Sequence, residues 1–203
     1  MRYDLPILLL PLLLWTGCGE NAGNRPIAGD IDSIKVEANA TAMAATASVQ
    51  VSARAYYTLD IPDRNVTEDV EWLSSNTTIA TVDGLGVVRG GSAGGNVTVS
   101  GTYESFGGSV RITVYALKSL EAVSPEINVT QEQTLRLHAL GTFEDGSKRD
   151  VSDAVVWRLG KSQENNASLE QNGTLYTGDA NGTLDINISR YDVNASLRLY
   201  VTP

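Results

Sequence analysis

Two stretches of this 203-residue chain, "NVTEDVEW" from Asn65 to Trp72 and "DVSDAVVW" from Asp150 to Trp157, share the pattern V-[TS]-x-x-V-x-W with tryptophans 85 residues apart. Other landmarks repeat in the same order. Val49-Gln50-Val51-Ser52-Ala53 answers Leu135-Arg136-Leu137-His138-Ala139, and each is followed four places later by an aromatic residue, Tyr57 or Phe143. Ala80 precedes Gly86 by six residues as Ala167 precedes Gly173, and Tyr103 and Val114 align with Tyr191 and Val201. Ordered self-similarity of this kind is the mark of a duplicated unit. Whatever the first half folds into, the second half repeats, and each must bury its own tryptophan.

The unit is built of strands. From Ala47 to Tyr57 every odd position is apolar, while Ser48, Gln50, Ser52 and Arg54 occupy the other face. A period of two over that length describes a half-buried strand. Leu135, Leu137, Ala139 and Phe143 repeat the pattern. Further strands are expected at Ser33–Val36, Val70–Ser74, Ile79–Val82, Val87–Arg89, Val97–Tyr103 and Val110–Val114, separated by Gly- and Asn-rich turns. No segment has helical periodicity, and the wealth of Val, Thr, Ser, Asn and Gly suits sheets and turns. About seven short strands in about 85 residues is the rhythm of an immunoglobulin-like sandwich, with Trp72 and Trp157 on the strand that buries a large aromatic. The fold class expected is all-β, two tandem immunoglobulin-like β-sandwiches.

The one cysteine, Cys18, leaves no internal disulfide to staple the sheets, so each core must close by packing alone. A unit of this size can do so. Cys18 ends the apolar run Leu5–Trp15, which at 11 residues is short for a membrane span but matches the apolar segment of an export signal, with Arg2 before it and small Thr16 and Gly17 after it. Cys18 reads as a stray residue, as half of an intermolecular disulfide, or as a covalent attachment point. Its position favours the last. The run Leu14-Trp15-Thr16-Gly17-Cys18 resembles the lipobox of bacterial lipoproteins, although Trp15 stands where that family usually has Leu. The resemblance implies cleavage before Cys18, acylation of the new N-terminus, for example with palmitate, and anchoring in a membrane. Gly19 after the cysteine, rather than Asp, resembles the outer-membrane sorting pattern. Residues 1–17 are thus the expected signal peptide. Residues 18–30, polar and without periodicity, form the expected tether, reaching on the order of 20 Å.

Both repeats resemble bacterial immunoglobulin-like domains of group two. The residues that carry the likeness are the Asp- or Asn-led V-[TS]-x-x-V-x-W, the stretch "LSSNTTIATVDGLGVV", the Ala-x-Val/Leu strand, and the closing "VRITV" or "LRLYV". The second copy keeps "FEDGSKRDVSDAVVW" but departs at "RLGKSQENNASLEQNGTL", two residues longer. The resemblance implies domains at 31–115 and 116–203, with Trp72 and Trp157 as structural core.

The chemistry-bearing residues are few. His138, the single histidine, sits on the polar phase of its strand where the first copy has Ser52, and reads as a solvated residue without co-ligands. Acidic residues gather before each tryptophan: Asp60, Asp63, Glu68, Asp69 and Glu71, then Glu144, Asp145, Asp150 and Asp153. Calcium binding and turn chemistry both account for them, but neither stretch has a D-x-[DN]-x-[DN]-G loop. "GLGVVRGG" from Gly84 to Gly91 reads as a hairpin, since no helix follows for a phosphate loop to open. Ten N-x-[ST] sequons, among them Asn39, Asn76 and Asn187, fit a glycoprotein or simply an Asn-, Ser- and Thr-rich composition. Tyr56 and Tyr200 face outward but are scattered. A net charge of −9 without a Lys/Arg cluster excludes nucleic acid as the expected partner.

The expectation is a cell-envelope protein without catalytic residues, cofactor or metal, held to a membrane by lipid at Cys18. It would present two sandwiches, joined by the short Tyr115–Ser119 connection, to a protein or glycan ligand, as an adhesion, interaction or spacer module. The alternative is an accessory scaffold subunit of an envelope enzyme, transporter or polysaccharide system.

Overall fold

The computed structural model describes residues 30–58, 61–160 and 166–203. Cys18, the signal and most of the tether lie outside the described residues, as does Asp60. Among the described residues there is no helix, only strands joined by turns and short connections.

The first unit contains β1 (Ile31–Ala38), β2 (Ala42–Ala44), β3 (Ser48–Tyr57), β4 (Arg64–Asn65), β5 (Glu71–Ser74), β6 (Ala80–Val82), β7 (Val87–Gly90), β8 (Gly95–Tyr103) and β9 (Phe106–Tyr115). One sheet runs β1-β3-β7-β6 with β4 also against β3; the other runs β2-β9-β8-β5. All pairings are antiparallel except β2 with β9. Strict alternation in β3 places Val49, Val51, Ala53 and Ala55 inward, each buried. From the facing sheet, β8 and β9 send Val97, Val99, Ile112 and Val114 against Val49 and Val51, while Ala53 and Ala55 pack with Ile34, Val36, Val66 and Val70. The sheets are therefore held by interdigitated β-branched side chains, at roughly 25 cal/mol per Å² of apolar surface removed from water.

The second unit contains β10 (Leu117–Val123), β11 (Asn128–Thr130), β12 (Thr134–Arg136), β13 (His138–Phe143), β14 (Lys148–Asp150), β15 (Val156–Leu159), β16 (Ser168–Leu169), β17 (Thr174–Tyr176), β18 (Gly182–Arg190) and β19 (Val193–Thr202). Here β11-β19-β18-β15 is one sheet, and the opposite layer is split into β10-β13-β14 and β12-β17-β16. The split falls at Leu137, between β12 and β13, where the equivalent β3 runs on unbroken. Leu137 N–H nevertheless donates to Gly173 C=O at 2.9 Å, as Val51 N–H does to Gly86 C=O at 2.8 Å. The correspondence extends to irregularities: β1 and β10 each shift register two residues from their starts, at Ile31/Ser33 and Leu117/Ser119.

The strands expected from sequence are present, with bounds moved by one to a few residues, and the first unit has two more. β2 and β4 are three and two residues long and carry no periodic signal of their own; each exists because a neighbouring strand offers bonding groups. One alignment changes. The β8–β9 hairpin turns at Glu104 (φ 55°) and the β18–β19 hairpin at Tyr191 (φ 53°), so Tyr191 corresponds to Glu104 and not to Tyr103. The two units are offset by 87 residues there, because the second is two residues longer after its tryptophan. Only Ala116 separates β9 from β10.

Candidate functional site

The repeated motif is a hydrogen-bonded device that seats each tryptophan. In the second unit Asp150 accepts from Ser152 through both N–H (2.9 Å) and Oγ–H (2.5 Å), an Asx turn. Ser152 Oγ accepts in turn from Ala139 N–H at 3.0 Å, and Ser152 C=O accepts the Trp157 indole N–H at 2.9 Å. The first unit repeats every bond with its own residues. Asn65 accepts from Thr67 N–H (3.0 Å) and Oγ–H (2.6 Å), Thr67 Oγ accepts from Ala53 N–H (3.0 Å), and Thr67 C=O accepts from Trp72 Nε1–H (2.9 Å). The Val of the motif, Val66 or Val151, is buried and bonds the same strand through its N–H. The tryptophans differ in depth. Trp157 is 1% exposed, while Trp72 is half-buried and packs between the two apolar clusters of its unit, one around Val51 and Ile112, the other around Val36 and Ala55.

The same Asx geometry accounts for other polar repeats. Asn76 accepts from Thr78, Asn172 from Thr174 N–H, and Asp145 from Ser147, which shows what several N-x-[ST] triplets do structurally. The acidic residues are spread over separate partners. Asp63 meets Arg54, Asp69 meets Arg64 at 3.1 Å, and Asp153 is 3.9 Å from Arg136. Among the described residues no three His, Cys, Asp or Glu side chains converge to hold a metal.

The residues that do converge lie at the junction. A cleft of about 490 Å³ is lined by Thr46 of the first unit and by Arg136, His138, Asp150, Ser152 and Asp153 of the second. The β13–β14 register sets His138 beside Asp150, with Nδ1 at 2.8 Å from Oδ2. The Ser152 hydroxyl and N–H, and then His138, hold the Asp150 carboxyl well below the usual value, down to about 2. An ionised carboxylate only accepts, so His138 donates to it through Nδ1–H. Histidine, aspartate and serine thus meet, but in an order unsuited to acyl transfer. Asp150 stands between the other two, and buried Ser152 gives its proton to the carboxylate instead of to His138. His138 is exposed, as its polar phase implies, but its contact with Asp150 depends on a register that no local pattern displays.

The junction is also bridged directly. Tyr191 Oη lies 3.1 Å from Ala45 C=O and 3.5 Å from Gly90 C=O, with the Arg190 guanidinium 4.5 Å over the Tyr191 ring. Ala116 N–H donates to Glu144 Oε2 at 3.2 Å, and Glu144 N–H to Ala116 C=O at 3.0 Å. Gly84 to Gly91 supplies the turn and second strand of the β6–β7 hairpin, as expected from its sequence.

Residues 30–114 match the family of bacterial Ig-like domains (group 2). The chain is 29% identical over 140 residues to ice-binding protein 1 of Shewanella frigidimarina (strain NCIMB 400), a match that covers 68% of this chain and 15% of that protein. Among solved structures, it overlays on the Escherichia coli adhesin FdeC with TM-score 0.38 and 18% identity, covering 86% of this chain and 65% of that one. It overlays on the Yersinia pseudotuberculosis adhesin InvE with TM-score 0.38 and 8% identity, covering 86% and 61%.

Proposed function

We propose that this chain is an exported bacterial protein, lipid-anchored through Cys18 to the cell envelope, that displays two Ig-like domains as an adhesion or spacer module without catalysis. The first domain, which the family match covers, ends at Tyr115. The second runs from Ala116 and counts as another copy of the same domain on the strength of its repeated Asx turn, indole bond and hairpin. The observation that carries the reading is the junction. With one residue between β9 and β10, and with Tyr191 Oη bonded to Ala45 C=O across it, the two sandwiches are held as a stiff pair suited to projecting a binding surface from a tether. The cleft supports a non-catalytic role, since its Ser, Asp and His are committed to one another.

Two measurements test this. Whole cells expressing the full chain should incorporate labelled palmitate into it, and Cys18→Ala should abolish the label and release the protein from membranes. Protease added to intact cells should remove both domains. Palmitate absent from the wild-type chain sinks the anchor, and full protection from protease in intact but not opened cells sinks outward display. Recovery of an envelope enzyme or transporter with the protected chain would move the reading to an accessory scaffold.

A further inference from the structure

The two units treat the outer edge of their tryptophan-bearing strand differently. In an antiparallel ladder, alternate residues turn their N–H and C=O toward and away from the partner strand. Gly160 N–H donates to Asp185 C=O, so Arg158 and Val156 bond to β18 and Trp157 turns its main chain away. That exposed edge is closed by one side chain. Gln171 Oε1 accepts from Trp157 N–H at 3.1 Å, and Gln171 Nε2 donates to Trp157 C=O at 2.9 Å. The amide thus occupies the place of a neighbouring strand, which is how a sheet edge is kept from pairing.

β5 has the same phase. Ser75 N–H donates to Thr98 C=O at 2.9 Å, so Leu73 and Glu71 bond to β8 while Trp72 turns its N–H and C=O outward. The hairpin that carries Gln171 in the second unit is matched bond for bond in the first: Gly86 N–H to Asp83 C=O (3.0 Å) answers Gly173 N–H to Glu170 C=O (2.9 Å). By that register the counterpart of Gln171 is Gly84, which has no side chain, and a Cβ there would meet nothing within 4 Å. At Trp72 the edge therefore carries no such plug, although Ser74 beyond it is tied to β6 through Oγ to Ala80 C=O at 2.6 Å, and beside it stand Leu73 at 68% and Leu85 at 60% exposure. Glu68 and Glu71, both exposed, make no ion pair among the described residues.

We infer that the β5 edge of the first sandwich binds an extended segment of a partner protein, which adds as a strand through the Trp72 main chain, covers Leu73, and carries Lys or Arg where it passes Glu68 and Glu71. Main-chain bonds supply affinity in this mode and alternate side chains supply selectivity. The acidic flank selects a basic partner and disfavours a second copy of a chain whose net charge is −9. This deepens the adhesion reading by naming a partner class. It is tested in solution, so its failure leaves the palmitate and protease results untouched.

The probe is a fluorescent peptide, Lys-Val-Thr-Val-Thr-Val-Lys, titrated into the purified full chain by anisotropy, with hydrogen exchange read at the Trp72 amide. One peptide should bind per chain and protect Trp72. Replacing its central Val by Pro, or both Lys by Glu, should weaken binding ~10-fold or more, a difference of about 1.4 kcal/mol. Gly84→Gln, which installs in the first unit the plug of the second, should abolish binding while leaving the circular dichroism spectrum and melting temperature unchanged. Gln171→Gly should raise the stoichiometry to two. Undiminished binding by Gly84→Gln, protection at another strand, or self-association of the chain through β5 without peptide overturns the proposal.

Discussion

At residue scale, the motif's two hydroxyls each carry two structural duties. Thr67 and Ser152 each serve a strand amide and an Asx turn at once while buried at 8% and 4% exposure. Thr67→Val should leave Ala53 N–H without a partner and cost about 1–3 kcal/mol by urea denaturation, whereas Thr67→Ser should cost far less. Trp157→Phe should also cost about 1–3 kcal/mol, through the lost indole bond to Ser152 and the volume lost from a sealed core. Asp150 gives the chain an acid-side dependence. Its folded carboxyl titrates at about 2 against an ordinary 3.8, so the unfolded chain takes up the proton first. The stabilisation is complete above the ordinary value and is lost as pH falls toward 2. Because the side chain is 52% exposed, solvent screening keeps it to about 1 kcal/mol or less. Asp150→Asn should flatten the fall in urea midpoint between those values, and an unchanged slope would refute the assignment.

At the scale of elements, β8 makes room for Trp72 with a glycine. A Cβ at Gly101 would lie 2.7 Å from Val70 Cγ1 and 3.0 Å from Trp72 Cζ3, so Gly101→Val should push the indole outward and destabilise the first unit by about 1–3 kcal/mol, read as red-shifted fluorescence with a lower urea midpoint. A variant with native fluorescence and midpoint would show that the ring can be rehoused. Long strands such as β3 and β8 were legible because one face is buried along their whole length, which forces alternation. β2, β4 and β16 were not, since two or three residues cannot display a period and form only where a partner strand lies. The site was less legible than the frame. The motif announces a tryptophan, but the His138–Asp150 contact depends on the β13–β14 register, and the Gln171 plug joins residues 14 apart that share no pattern.

At the scale of the molecule, the two sandwiches meet through few groups, of which Tyr191 is the most committed: its φ of 53° aims the ring across the junction and its hydroxyl meets Ala45 C=O. Tyr191→Ala should free the relative orientation of the units without unfolding either. Residual dipolar couplings from both should fit one alignment tensor in the native chain and require two in the variant; one tensor in both would assign the stiffness to the one-residue link at Ala116 and to Ala44 packed against the second core. The parallel pairs β2 with β9 and β11 with β19 have a mechanical consequence. A chain pulled by its two ends draws such neighbouring strands past one another, so their bonds share the load and fail together instead of opening one at a time. Tension applied between the two ends would meet that resistance in each unit, and survival under such a load would be governed by unfolding rate and not by equilibrium stability.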